Sequence, residues 1–158
     1  MTTTKSDEWE LVVRPRKVTR YATGVALVLV VTFVVVGVML RSTTGVYFKV
    51  SDQISMVLLG LILAAAVMLL ARPRLRVGAS GVAVRNIIGE RHIDWDLVLV
   101  MTLPEGATWA RIEIPDDEFV PVMAIQVSDR EYAVDAVRTF RSLQAKYSPW
   151  GPPGVGPA

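Results

Sequence analysis

The stretch Tyr21–Leu40, YATGVALVLVVTFVVVGVML, runs for 20 residues without a charged side chain. Twenty helical residues rise about 30 Å, the thickness of a bilayer's hydrocarbon core. A second such stretch, Ile54–Ala71, follows after the polar loop Arg41–Gln53. Hydrocarbon offers no hydrogen bonds to a bare backbone, so segments of this kind close their own bonds as helices. The first is rich in Val, a weak helix former, but burial in lipid outweighs a few tenths of a kcal/mol per residue. Burial inside a soluble core is the weaker alternative, because 158 residues leave too little chain to cover two such helices. The sequence therefore predicts a transmembrane hairpin over 21–71, with spans 21–40 and 54–71.

Basic residues orient the hairpin. Lys5, Arg14, Arg16, Lys17 and Arg20 precede it, and Arg72, Arg74 and Arg76 follow it, whereas the loop carries only Arg41 and Lys49. The positive-inside rule then puts both termini in the cytoplasm and the loop outside, in the inner (plasma) membrane, with Tyr47 and Phe48 as interfacial anchors. A cleaved signal peptide fits less well: its apolar region would be shorter, and no A-x-A pattern follows Leu40. Neither span holds Asp, Glu, His, Lys or Arg, which argues against transport by this chain alone. Gly60 and Ala64 form a small-xxx-small pair, read as helix packing within the hairpin or with another chain.

Composition removes several chemistries. The sequence has no cysteine, so disulfides, thiol catalysis and thiolate metal sites are excluded. The only histidine, His92, cannot build a multi-histidine metal site, and no nucleophile stands near it in sequence. A net charge of +2 gives no case for nucleic acid. Asp116-Asp117-Glu118 lacks the EF-hand ligand spacing and reads as a solvated acidic turn. No cofactor is expected.

After the membrane the period changes to two. Arg74–Val77, Val82–Ile87, Arg91–Trp95, Leu97–Thr102, Trp109–Ile114 and Phe119–Val127 read as short strands separated by turn residues, the pattern of an antiparallel sandwich or barrel. Pro121 assigns the start of the last strand to an edge or a bulge. Before the membrane, Trp9–Val13 alternates weakly and offers one more strand, ended by Pro15. From Ala133 to Tyr147 apolar residues recur at helical spacing, after a candidate capping box at Ser128–Glu131 and before Pro149. The predicted domains are a cytoplasmic segment 1–20, the hairpin, a β-rich domain 72–148 with a C-terminal helix, and a disordered tail 149–158. Residues 1–8 are likewise expected to be disordered.

The run Gly81-Val82-Ala83-Val84-Arg85-Asn86, followed by Arg91, Ile93, Trp95 and Val98, resembles the "G-V-x-V-R … R-x-I-x-W-x-x-V" pattern of bacterial PH-like domains in actinobacterial membrane proteins. That family is named for a mycobacterial low-molecular-weight antigen, and its members often carry a pair of spans before the domain. The resemblance covers roughly Arg72–Tyr147. It implies an α+β membrane protein, in which a PH-like antiparallel barrel or sandwich is closed at one corner by its C-terminal helix. It also raises Trp9–Val13 as a strand that could complete the sheet. It implies no reaction.

The functional expectation is thus non-catalytic: a cytoplasmic PH-like module that holds a protein partner or its own oligomer at the membrane. Two alternatives stand beside it. The domain could sense anionic lipid through Arg72, Arg74 and Arg76, or the chain could be an accessory subunit of a transporter or cell-envelope enzyme. Arg85, Arg91 and Arg111 occupy polar strand positions and read as solvated residues rather than as part of that arginine patch. Trp95, two residues after Ile93, is expected on the same strand face as a core anchor.

Overall fold

The computed structural model describes residues 9–43 and 49–149, without the side chains of 41–43. The expectations for Tyr47, Phe48, residues 1–8 and the tail from Trp150 lie outside the described residues. The chain divides into two units: the helical hairpin Lys17–Ala71, and a β-rich unit built from the segments on either side of it.

In the hairpin, α1 (Arg16–Thr43) and α2 (Val50–Met68) are long and apolar enough to cross a membrane. Both extend beyond the charge-free cores, and a 3-10 turn, Leu69–Ala71, ends the second. Most of their apolar side chains face outward, as they would toward lipid. The Asp52 carboxylate accepts from the Lys49 amide at 3.0 Å and so supports the start of α2. The two helices approach closely at Gly60: a Cβ placed there would stand 2.6 Å from the Phe33 Cβ. The small-residue pair Gly60–Ala64, buried in α2, therefore packs within the hairpin.

The second unit holds two antiparallel sheets. One has the order β1-β2-β3-β4, with β1 Trp9–Val13, β2 Arg74–Gly78, β3 Gly81–Arg85 and β4 Glu90–Ile93. The other has the order β5-β6-β7, with β5 Val100–Thr102, β6 Trp109–Glu113 and β7 Phe119–Gln126. The barrel does not close, so the fold is a sandwich. The strand before the hairpin forms: β1 pairs with β2 in the register Leu11–Val77, Val12–Arg76, Val13–Leu75. The sheet is thus assembled from both sides of the hairpin.

Alternation builds the core. Leu75, Val77, Val82, Val84 and Ile93 face inward from the first sheet, and Met101, Ala110, Ile112, Val120 and Val122 from the second. The helix α3 (Glu131–Tyr147) covers this core with Ala133, Ala136, Phe140 and Leu143. Burying these apolar faces is the main source of stability, at about 25 cal/mol for each Å² removed from water.

Three local expectations are corrected. Trp95 does not lie on a strand, because β4 ends at Ile93 and Trp95 opens a 3-10 turn, Trp95–Leu97. It is still a core anchor: its Nε1 donates to the Gly78 carbonyl at 2.9 Å, and its ring stacks on Tyr147. Nor is Leu97–Thr102 one strand, since the turn uses its first residues and pairing begins at Val100. The capping box at Ser128–Glu131 does not form. A 3-10 turn takes Val127–Asp129, and Arg130 precedes α3 with φ 47° and no side-chain cap. Ser128 bonds Gln126 instead, and Asp129 accepts from the Arg16 amide at 3.1 Å.

Pro121 sits as expected on an edge strand, β7, where its missing N–H breaks no ladder bond toward a further strand. Asn86 supplies what a neighbouring strand would. Its Nδ2 donates to the Pro121 carbonyl at 2.8 Å, and its Oδ1 accepts from the Met123 amide at 3.3 Å. One side chain thus stitches the first sheet to the second.

Candidate functional site

Strand register gathers the charged residues at one end of the first sheet. Arg74 is directly opposite Arg85 in the β2–β3 pair, and Arg85 is directly opposite Glu90 in the β3–β4 pair. Arg14, one residue beyond the Val13–Leu75 pair, comes level with Arg74. Three arginines therefore form a row across β1, β2 and β3, on the outer face of the sheet. Arg72, exposed, precedes Arg74 by two residues.

The one carboxylate in that row is drawn away. Glu90 bonds the Arg76 guanidinium, which also lies 5.0 Å from the Trp9 ring centroid. Among the described residues Arg14, Arg72, Arg74 and Arg85 form no ion pair with a carboxylate. The Arg74 Nε is buried without a hydrogen-bond partner. Partial burial pulls the Arg74 pKa below the usual guanidinium range, and the Arg14, Arg76 and Arg85 charges pull it the same way, while Glu90 opposes them. Like charges directly opposite each other across an antiparallel pair are destabilising. The row is electrostatic strain that a bound anion would relieve.

This geometry changes the arginine patch read from sequence. Arg72 and Arg74 belong to it, but Arg76 is engaged with Glu90 and Trp9. Arg14 and Arg85 take its place; Arg85 had been read as merely solvated. Arg91 is exposed and shares the Val84 face, and Arg111 is held by Glu113 at 3.1 Å and lies over Phe119. The signal for Arg14 and Arg85 is the register itself, which is invisible until β1 is paired.

The remaining motif residues are structural. Gly81 closes the β2–β3 turn with φ +129°, a conformation that side chains rarely adopt; a Cβ there would meet the Ile93 carbonyl oxygen at 2.6 Å. Val82, Val84, Ile93, Trp95 and Val98 are buried in the core. His92 Nε2 sits 3.1 Å from the Ser80 carbonyl and 3.6 Å from Asp94, and its ring meets Trp9 edge-on. These are turn-bracing contacts. Asp116 and Asp117 adopt positive φ in the β6–β7 turn, and no group of three metal-ligating side chains converges among the described residues.

Two apolar depressions lie elsewhere on the β-rich unit. One, of about 450 Å³, opens between the β3–β4 turn and β7, walled by Ile87, Ile88, Phe119 and Pro121. The other, of about 490 Å³, runs beside α3 between Leu103 and Val134, with Arg130 and Arg138 at its rim.

Residues 72–143 match the family described as Bacterial PH domain. Over 148 residues the chain is 45% identical to uncharacterised proteins of Mycobacterium bovis and Mycobacterium tuberculosis, covering 93% of this chain and 96% of theirs. No solved structure matches.

Proposed function

Because the chain belongs to the bacterial PH domain family, we propose that it is a non-catalytic membrane module whose PH-like domain binds anionic lipid headgroups with Arg14, Arg72, Arg74 and Arg85. The observation that carries this reading is the row of arginines without carboxylate partners, beside the residues that join the domain to the hairpin. Each such charge near an anionic leaflet is worth about 1 kcal/mol. The hairpin anchors the protein in the inner membrane with both termini in the cytoplasm, where the anionic leaflet lies. Thiol labelling of Thr44→Cys and Ser148→Cys in intact cells tests that orientation, since the chain has no cysteine of its own.

The headgroup reading is tested on the full chain reconstituted in bilayers. Spin-labelled phosphatidylglycerol should associate with it severalfold more than spin-labelled phosphatidylcholine. The pair Arg74→Gln with Arg85→Gln should remove most of that preference, while leaving Arg14, Arg16, Lys17, Arg20 and Arg72 to set topology. An unchanged preference in the double variant refutes the reading.

The depression beside α3 favours a second reading, in which the domain also holds a protein partner or another copy of itself. Val134 on its wall is 52% exposed, and Arg130 and Arg138 rim it. Light scattering in mild detergent tests self-association. A species that is monomeric in both the wild type and Val134→Asp removes the second copy as the occupant.

A further inference from the structure

The β3–β4 turn has the wrong residues for water. It is a tight hairpin turn closed by the Asn86 amide on the Gly89 carbonyl at 2.9 Å. The two residues at its tip are Ile87 and Ile88. Such positions normally carry Gly, Asn, Asp or Ser, which favour turn geometry and stay solvated. Ile88 is 100% exposed. Its neighbours in space continue the apolar character, since Ile87, Phe119 and Pro121 wall the adjoining depression and Phe119 is itself 55% exposed.

The register says where this tip points. Arg85 stands opposite Arg74, and β3 runs antiparallel to β2. Beyond Arg85 the chain therefore continues alongside Pro73 and Arg72, the residues through which the domain's chain leads back to the hairpin. Ile87 and Ile88 lie two and three residues past Arg85, at the crest of the turn that the Asn86–Gly89 bond closes. The arginine row thus stands at the base of the tip. An apolar tip with arginines at its base is the composition of a surface that enters the headgroup region of a bilayer.

We propose that Ile87 and Ile88 form a wedge that inserts into the cytoplasmic face of the bilayer, a third attachment of the PH-like domain to the membrane besides the two chain connections to the hairpin. The wedge rests on the hairpin's being membrane-embedded, and not on headgroup selectivity. Its occupant is the lipid interface. The arginines at its base meet phosphate while the isoleucines reach the acyl boundary. This assigns a role to a turn whose composition the fold does not explain.

The absence of native cysteine makes the test direct. Single variants Ile88→Cys and Ala79→Cys carry an environment-sensitive fluorophore on the full chain, reconstituted in bilayers of neutral or anionic lipid. Ala79 is the control: it is exposed in the β2–β3 turn, at the opposite end of the same strand pair. The probe at 88 should be blue-shifted, quenched by brominated acyl chains, and severalfold less accessible to iodide than the probe at 79. Equal iodide accessibility at both sites, in protein that still resists alkaline extraction, overturns the wedge. Burial at 88 in neutral as well as anionic bilayers supports the wedge and counts against headgroup selectivity, so the two readings fail separately. The substitution is at a fully exposed site, so folding is unaffected; the tryptophan emission of each unlabelled cysteine variant, compared with wild type, checks this.

Discussion

Replacing Arg85 by Gln should make the domain more stable and its lipid response weaker. Arg85 is one of three arginines in a cross-strand row, directly opposite Arg74, with Glu90 on its other side committed to Arg76. Two unit charges about 6 Å apart in a water-like dielectric repel by about 0.7 kcal/mol, and like charges opposite one another in antiparallel pairs cost up to about 1 kcal/mol. Losing Arg85 also gives up some attraction to Glu90. The net gain in neutral detergent should be about 0.5 kcal/mol, or roughly 2–4 °C in melting temperature for a domain of this size. In anionic lipid the sign reverses, because the wild type draws about 1 kcal/mol more from each charge that reaches phosphate. The assay is thermal unfolding of the full chain, followed by tryptophan emission, in zwitterionic micelles and in micelles doped with phosphatidylglycerol. Raising the salt to about 1 M, where the screening length falls to about 3 Å, should shrink both differences. A lower melting temperature for Arg85→Gln in neutral detergent would refute the strain argument, and equal stabilisation of both proteins by phosphatidylglycerol would refute the binding argument.

Three further outcomes follow from particular contacts. Gly81→Ala should destabilise the domain by roughly 2–4 kcal/mol in denaturant titrations, since it adds backbone strain at φ +129° to a contact with the Ile93 carbonyl. Asn86→Ala should cost about 1–3 kcal/mol by leaving the Pro121 carbonyl and Met123 amide without partners, and hydrogen exchange should quicken at Met123 before the rest of β7. The third outcome concerns Glu10, whose pKa is lowered by hydrogen bonds from Tyr147 and then Lys146. A depressed carboxylate contributes stability that is present above its ordinary range near 4.5 and lost as the pH falls through its folded value. Thermal unfolding of Glu10→Gln should accordingly differ from wild type at neutral pH and converge with it in acid; a constant offset at every pH would contradict this.

What could be read from the sequence was what depends on neighbours along the chain. The two long apolar helices are contiguous apolar runs, so length and charge alone locate them. The strands alternate, and Pro121 names its own edge. The misses all need contacts made at a distance. Ser128 and Glu131 have the spacing of a capping box, but Val127–Asp129 winds into a 3-10 turn and Arg130 takes a positive φ, so the hydroxyl never faces the helix start. Trp95 keeps the spacing of a strand residue after the strand has ended, because its indole finds the Gly78 carbonyl. The arginine patch suffered most. Arg72, Arg74 and Arg76 are close in sequence, yet the row that forms is Arg14, Arg74 and Arg85, drawn from segments up to 71 residues apart and joined only by pairing. Asn86 gives no local sign of its role, since its partners lie on β7.

The position of β1 sets a rule of parity. One strand of the sheet is made before the hairpin and its partner after it. A sheet can close only if both are on the same side of the bilayer, so the intervening chain must cross an even number of times. A hairpin that inserted a single span would strand β1 across the membrane from β2, and β2 would keep an open, unpaired edge. Pairing of β1 with β2 is thus lost in any chain that crosses a bilayer an odd number of times, whatever charges guide its helices. β1 is synthesised before the hairpin and can pair only once Arg74–Gly78 has followed it. Where the two helices cross a bilayer, both must cross for this sheet to form.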